Sequence, residues 1–245
     1  KRVTGEDYNW AGKITNGNGY AAFVKLDNYV SGFVQIDDHF WQILPFVEGT
    51  SLLRELTISE FHSGVCSRQI EDNQPPPMFD LADIDYCEEV SGGCQGFVDI
   101  LVLLPPDVID WFGDTHTDFG AALTYAALTV YSPQVGFINS DIEGITLRFN
   151  AILFDFDYSS DLNRTDDILT NLPNQAGSLR EDYKADLVAL LTNMDYANPS
   201  GANIWGVSSE ADACFDCAYS IIEIQGTVSP RWVFAHEVTH LFGAN

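Results

Sequence analysis

Two histidines four residues apart with a glutamate between them are the residues of this chain best suited to chemistry. They lie in Ala235-His236-Glu237-Val238-Thr239-His240-Leu241-Phe242-Gly243. On a helix, positions i and i+4 project from one face, so the rings of His236 and His240 can grip a single Zn2+ ion. Glu237 is then placed to take a proton from a water held by that metal. Gly243 follows where a helix can end and the backbone turn back. The pattern implies metal-assisted hydrolysis.

These side chains need a helix and a scaffold beneath it. Ser229-Pro230 predicts the helix start, with serine as N-cap and proline at the first helical position. Upstream, strand and helix patterns alternate. Phe97–Leu104 is a near-continuous apolar run, as expected of a strand covered on both faces. A helix is expected from about Phe119 to Phe137, kinked or split by Pro133. Ile145–Phe156 reads as a strand, 161–184 as a helix in two pieces broken near Leu172-Pro173, and Asp186–Leu191 as a buried strand. Asn203, Ile204, Trp205, Gly206 and Val207 read as an edge strand, and Tyr219–Ile224 as another strand. The order fits an α/β domain with a mainly parallel twisted sheet.

The first 60 or so residues differ. Tyr20–Leu26, Gly32–Ile36 and His39–Leu44 are rich in aromatic and β-branched residues, and Asn16-Gly17-Asn18-Gly19 and Asp37-Asp38 separate them as turns. A small antiparallel module is expected over 1–66. Gln74-Pro75-Pro76-Pro77, many acids and Ser91-Gly92-Gly93 make 67–95 an extended connector open to proteolysis. The α/β domain occupies 96–245.

The chain has 11 basic and 36 acidic residues, a net charge of −25, and the excess is uneven. Residues 1–70 hold 6 basic and 8 acidic residues; 71–245 hold 5 and 28. Such a field repels polyanions, which argues against nucleic acid or an anionic membrane surface as a partner. No apolar run approaches the roughly 18 residues needed to insert into a bilayer. An acidic surface and a first residue Lys1 rather than Met suggest a secreted, processed product. Cys87 with Cys94 and Cys214 with Cys217 are the natural local disulfide candidates, leaving Cys66 over. The Cys214-Phe215-Asp216-Cys217 pair could also serve redox chemistry or zinc, although no second such pair completes a structural zinc site.

Trp232-Val233-Phe234-Ala235-His236-Glu237-Val238-Thr239-His240-Leu241-Phe242-Gly243-Ala244 resembles the active-site helix of reprolysin-like (adamalysin-related) metzincins. Val98–Pro105 resembles the first strand of their catalytic domain, and Tyr183–Leu191 the helix end and strand that run beneath the active site. Cys217-Ala218-Tyr219-Ser220 is similar to a segment that precedes the zinc helix. Trp10–Ile14, Tyr29–Val34 and Trp41–Pro45 are similar to the β-rich pro-region of bacterial members. The resemblance implies a zinc endopeptidase in zymogen-like form, acting on protein or peptide substrates. Zinc would be held by His236 and His240, with Glu237 as general base and the substrate lying along the edge at 203–207. Cys66, just before the connector, is a candidate inhibitory ligand, since a thiolate can take the coordination position that water needs.

The longer metzincin pattern, H-E-x-x-H-x-x-G-x-x-H, places a third histidine at position 246, one beyond Asn245. The only methionines, Met78 and Met194, precede the motif and cannot form the family's methionine turn; His39, His62 and His116 are the remaining histidines. The expectation is a catalytic domain incomplete at its C-terminal end. The alternative is a catalytically inactive metzincin-like extracellular subunit of structural or assembly function, capable of self-association.

Overall fold

The computed structural model describes residues 8–15, 18–57, 96–113, 119–140, 142, 144–158, 165–193, 196–197, 203–209, 218–228 and 232–242. All five cysteines, the whole of the expected connector at 67–95, His62 and His116 lie outside these.

Five strands form an antiparallel meander: β1 (Tyr8–Lys13), β2 (Gly19–Leu26), β3 (Tyr29–Ile36), β4 (His39–Val47) and β5 (Thr50–Thr57). Asp27-Asn28 and Asp37-Asp38 are two-residue hairpin loops, each opening on an aspartate at φ 52°. A positive φ there matches the twist of the flanking strands, and aspartate tolerates it better than most side chains. The edge strands β1 and β5 were not legible in the sequence. They are largely exposed and lack a buried face to impose alternation.

The second sheet has the order β11-β12-β8-β6-β7. It comprises β6 (Gly96–Leu103), β7 (Ile145–Leu153), β8 (Leu187–Thr192), β11 (Gly206–Ser208) and β12 (Tyr219–Glu223). All neighbours are parallel except β11, which runs antiparallel to β12 at the edge. Successive residues of β6 point to opposite sides. Ile100 and Val102 join the core shared with α2 (Gly120–Asn139), while Leu101 and Leu103 join the core shared with α3 (Thr165–Tyr183). This two-sided cover explains the unbroken apolar run. Two short helices, α1 (Pro106–Trp111) and α4 (Ile224–Thr227), follow β6 and β12. The last helix is α5 (Val233–Leu241).

α2 is buried nearly all round because it lies between the two sheets, packing on β2, β3 and β4 on one side and on the second sheet on the other. The antiparallel module and the α/β part therefore share one hydrophobic core. Among the described residues no helix is long and apolar enough to cross a membrane.

Several expectations need correction. α2 is one helix through Pro133: the carbonyl four residues back, on Thr129, has lost its amide partner and accepts the Ser132 hydroxyl at 2.8 Å instead. α3 likewise continues through Pro173, held by Leu172 and Ala176 against the second sheet. The single edge strand expected over 203–207 is divided. Asn203 and Ile204 form β10 (Asn203–Ile204), paired with β9 (Tyr196–Ala197), while Gly206 and Val207 belong to β11. Between them the Trp205 carbonyl accepts the Glu223 amide at 2.8 Å, turning the chain from one pairing to the other. The zinc-motif helix begins at Val233, later than Ser229-Pro230 suggests. Its N-cap, Trp232, has a left-handed backbone at φ 52° and makes no side-chain cap; Ser229 and Pro230 lie outside the described residues.

Candidate active site

α5 is amphipathic. Val233, Phe234, Val238 and Leu241 are buried in the large core, which leaves His236 and His240 on the opposite side. The first main-chain bond of the helix runs from the His236 amide to the Trp232 carbonyl at 2.8 Å. One turn separates the two histidines, and their Nε2 atoms stand 3.0 Å apart with the rings at 85° to each other. Two imidazole nitrogens at zinc bond lengths of about 2.0–2.1 Å in a tetrahedral site lie roughly 3.3 Å from each other. The pair thus fits two positions of a zinc ion. Loss of solvation, and secondarily the neighbouring His240, lowers the His236 pKa. A lowered value favours the neutral ring that a metal requires.

Glu237 is 2% exposed and turns under β11. Its Oε2 and its main-chain oxygen each lie 2.8 Å from the Ser208 hydroxyl, which donates. Burial pushes the carboxyl up to about 7, partly offset by the Ser208 hydrogen bond. A carboxyl poised there can exchange protons near neutral pH. Gly206 makes the packing of β11 on α5 possible: a Cβ on Gly206 would meet Glu237 Cγ and Val233 Cγ1, each at 2.7 Å.

Among the described residues no group of three His, Cys, Asp or Glu side chains is placed to hold a metal. His39 lies in the antiparallel sheet, paired across strands with Glu55 at 2.8 Å and stacked on Trp41. The structure brings together His236, Glu237 and His240, with Gly206 and Val207 in the adjacent strand, while Asn203 and Ile204 belong to the separate pair of strands. Cys66, Cys87, Cys94, Cys214 and Cys217 lie outside the described residues.

Ser208, one residue beyond the expected edge strand, was missed, because its partnership with Glu237 exists only once β11 crosses α5. Trp232 was visible in the motif but carried no signal of its conformation.

A family model described as Metallo-peptidase family M12B Reprolysin-like matches residues 121–245, just over half the chain. No curated protein matches the sequence. The crystal structure of metalloproteinase-II from Bacteroides fragilis is similar over 95% of this chain and 74% of its own, at 14% identity and a TM-score of 0.45. That likeness is too loose to bear on chemistry.

Proposed function

This chain belongs to the reprolysin-like M12B family of metallopeptidases, and from that premise we propose that it is a secreted, zinc-dependent endopeptidase made in a zymogen-like form. The observation that carries the reading is the convergence of His236 and His240 Nε2 at 3.0 Å beside a buried Glu237 whose carboxyl burial pushes up to about 7. The family implies a metal, typically zinc, and protein or peptide substrates.

Zinc, when bound, supplies a Lewis acid that acidifies water and polarises a carbonyl oxygen. His236 and His240 offer two nitrogen donors. Glu237 takes the proton of the attacking water and passes it to the nitrogen of the leaving amine. Ser208 holds the carboxylate in place by donating to Oε2. The outer strand β11 offers its main chain to an extended peptide, which would add as a further strand with Gly206 and Val207 nearest. Latency is assigned to the segment between the two sheets, with Cys66 as the inhibitory ligand. The strongly acidic sequence is consistent with extracellular surroundings.

Zinc content of the full-length protein, and cleavage of a quenched peptide library by that protein once its chain is cut within 71–90, test this. One zinc per chain with cleavage that a chelator abolishes is expected. A metal-free, inactive protein that self-associates would replace the reading with the structural alternative.

A further inference from the structure

Trp232 is the residue on which α5 is hung. Its backbone is left-handed, at φ 52° and ψ 36°, a region that bulky side chains seldom adopt. Its carbonyl nonetheless accepts the amide of His236, so the conformation of Trp232 sets where that histidine begins its turn. The grip on the indole comes from the antiparallel sheet. Phe33 of β3 meets it edge-on at 4.9 Å, Phe40 of β4 at 6.5 Å and Tyr20 of β2 at 6.0 Å. Phe33 and Phe40 stack on each other and are fully buried.

A second link lies four residues earlier. Gln42 of β4 donates from Nε2 to the Val228 carbonyl at 2.8 Å and to the Tyr125 hydroxyl at 3.0 Å. Tyr125 in turn donates to the Ile224 carbonyl. This polar cluster is buried, so each bond would be costly to break without replacement. The sheet thus holds both ends of the stretch 228–232 that leads into the histidine helix.

We propose that the N-terminal sheet, residues 8–57, is a permanent part of the working peptidase and positions α5 through Trp232. It is not a module to be shed. Cutting the chain between 58 and 95 would release latency and leave a two-piece enzyme. A discarded sheet would instead strip cover from Trp232, Tyr125 and α2, exposing apolar surface that soluble domains avoid. Trp232 and Gln42 are positioning residues. The proposal rests on the peptidase reading for its activity readout, but the association itself does not.

The test uses the full-length protein with a specific protease site placed within 71–90. After cutting, the two pieces are expected to co-elute on size exclusion. Amide exchange over 233–241 should stay within about twofold of the uncut chain, zinc should be kept, and turnover should appear. A C-terminal piece that separates on dilution and retains zinc and turnover would overturn the proposal. Absence of zinc from the uncut protein and of turnover from the cut one would sink the peptidase reading alone, since co-elution and exchange still judge the sheet.

Trp232→Ala should weaken zinc binding at least about tenfold, the usual range for a residue that orients a ligand. It should lower kcat more than it changes KM, and Trp232→Phe should restore most of the loss. A folded Trp232→Ala protein with normal exchange over 233–241 and normal zinc affinity would also overturn the proposal; should that variant not fold, the cut protein decides.

Discussion

Ser208 and Glu237 are joined at two points: one hydroxyl lies 2.8 Å from both the Oε2 and the main-chain oxygen of Glu237, tying the sheet's edge strand to the helix that carries the histidines. The link holds the carboxylate and favours its charged form against the cost of burial. Ser208→Ala removes that favourable bond, so the Glu237 pKa rises above about 7. The acidic limb of the kcat/KM profile should move to higher pH, with a larger loss of rate at pH 6.5 than at pH 8.5. An unmoved limb would show that the acidic limb does not report Glu237.

Glu237→Gln keeps the shape but cannot accept a proton. Turnover should fall by roughly 10²–10⁴, the usual worth of a positioned base, with zinc content unchanged. A variant that cleaves normally would remove Glu237 from the chemistry.

Gly206→Ala puts a methyl against Glu237 Cγ and Val233 Cγ1. Overpacking of this kind costs about 1–3 kcal/mol, and here the strain falls on the carboxylate-bearing helix. Both Tm and kcat should drop, and Tm together with steady-state rates checks it; an unaffected variant would mean that β11 can move away freely.

The metal-free protein should show two opposed pH dependences. Glu237 is raised from 4.5 to about 7, so its contribution to stability is full below about 4.5 and is lost as pH rises through about 7. His236 is lowered from 6.5, so its contribution is present above 6.5 and lost as pH falls through its folded value. Glu237→Gln removes the first slope. At pH 8 the metal-free variant should be more stable than the parent by more than about 1 kcal/mol, given roughly 1.4 kcal/mol per pKa unit. Urea titrations from pH 4.5 to 8.5 measure this directly; equal slopes in the two proteins would contradict the burial of an ionisable Glu237.

How much was legible follows from how local each cause is. The Asp37-Asp38 turn was visible because that pair closes a hairpin whatever surrounds it, whereas the equally short Asp27-Asn28 turn was not read. β6 was visible because a strand covered on both faces has no polar side to interrupt its apolar run. The prolines misled for the same reason. Pro133 removes a donor in any context, but only the folded helix shows the Ser132 hydroxyl taking over the Thr129 carbonyl. The division of 203–207 depends on Glu223, which offers its amide to Trp205 from another strand.

The sequence by itself determined the histidine pair and its glutamate, because an i, i+4 spacing needs only a helix to become a shared face. It also determined the alternating α/β order and the acidic charge, which are sums over local pattern and composition. Only the tertiary structure decided that Glu237 would be buried under β11 with Ser208 as its partner. Only it decided, too, that Trp232 would be held by Phe33 and Phe40 from a sheet nearly 200 residues earlier in the chain. Those contacts join segments with no sequence pattern in common, and they exist because burying one continuous core brings both sheets against α2 and α5.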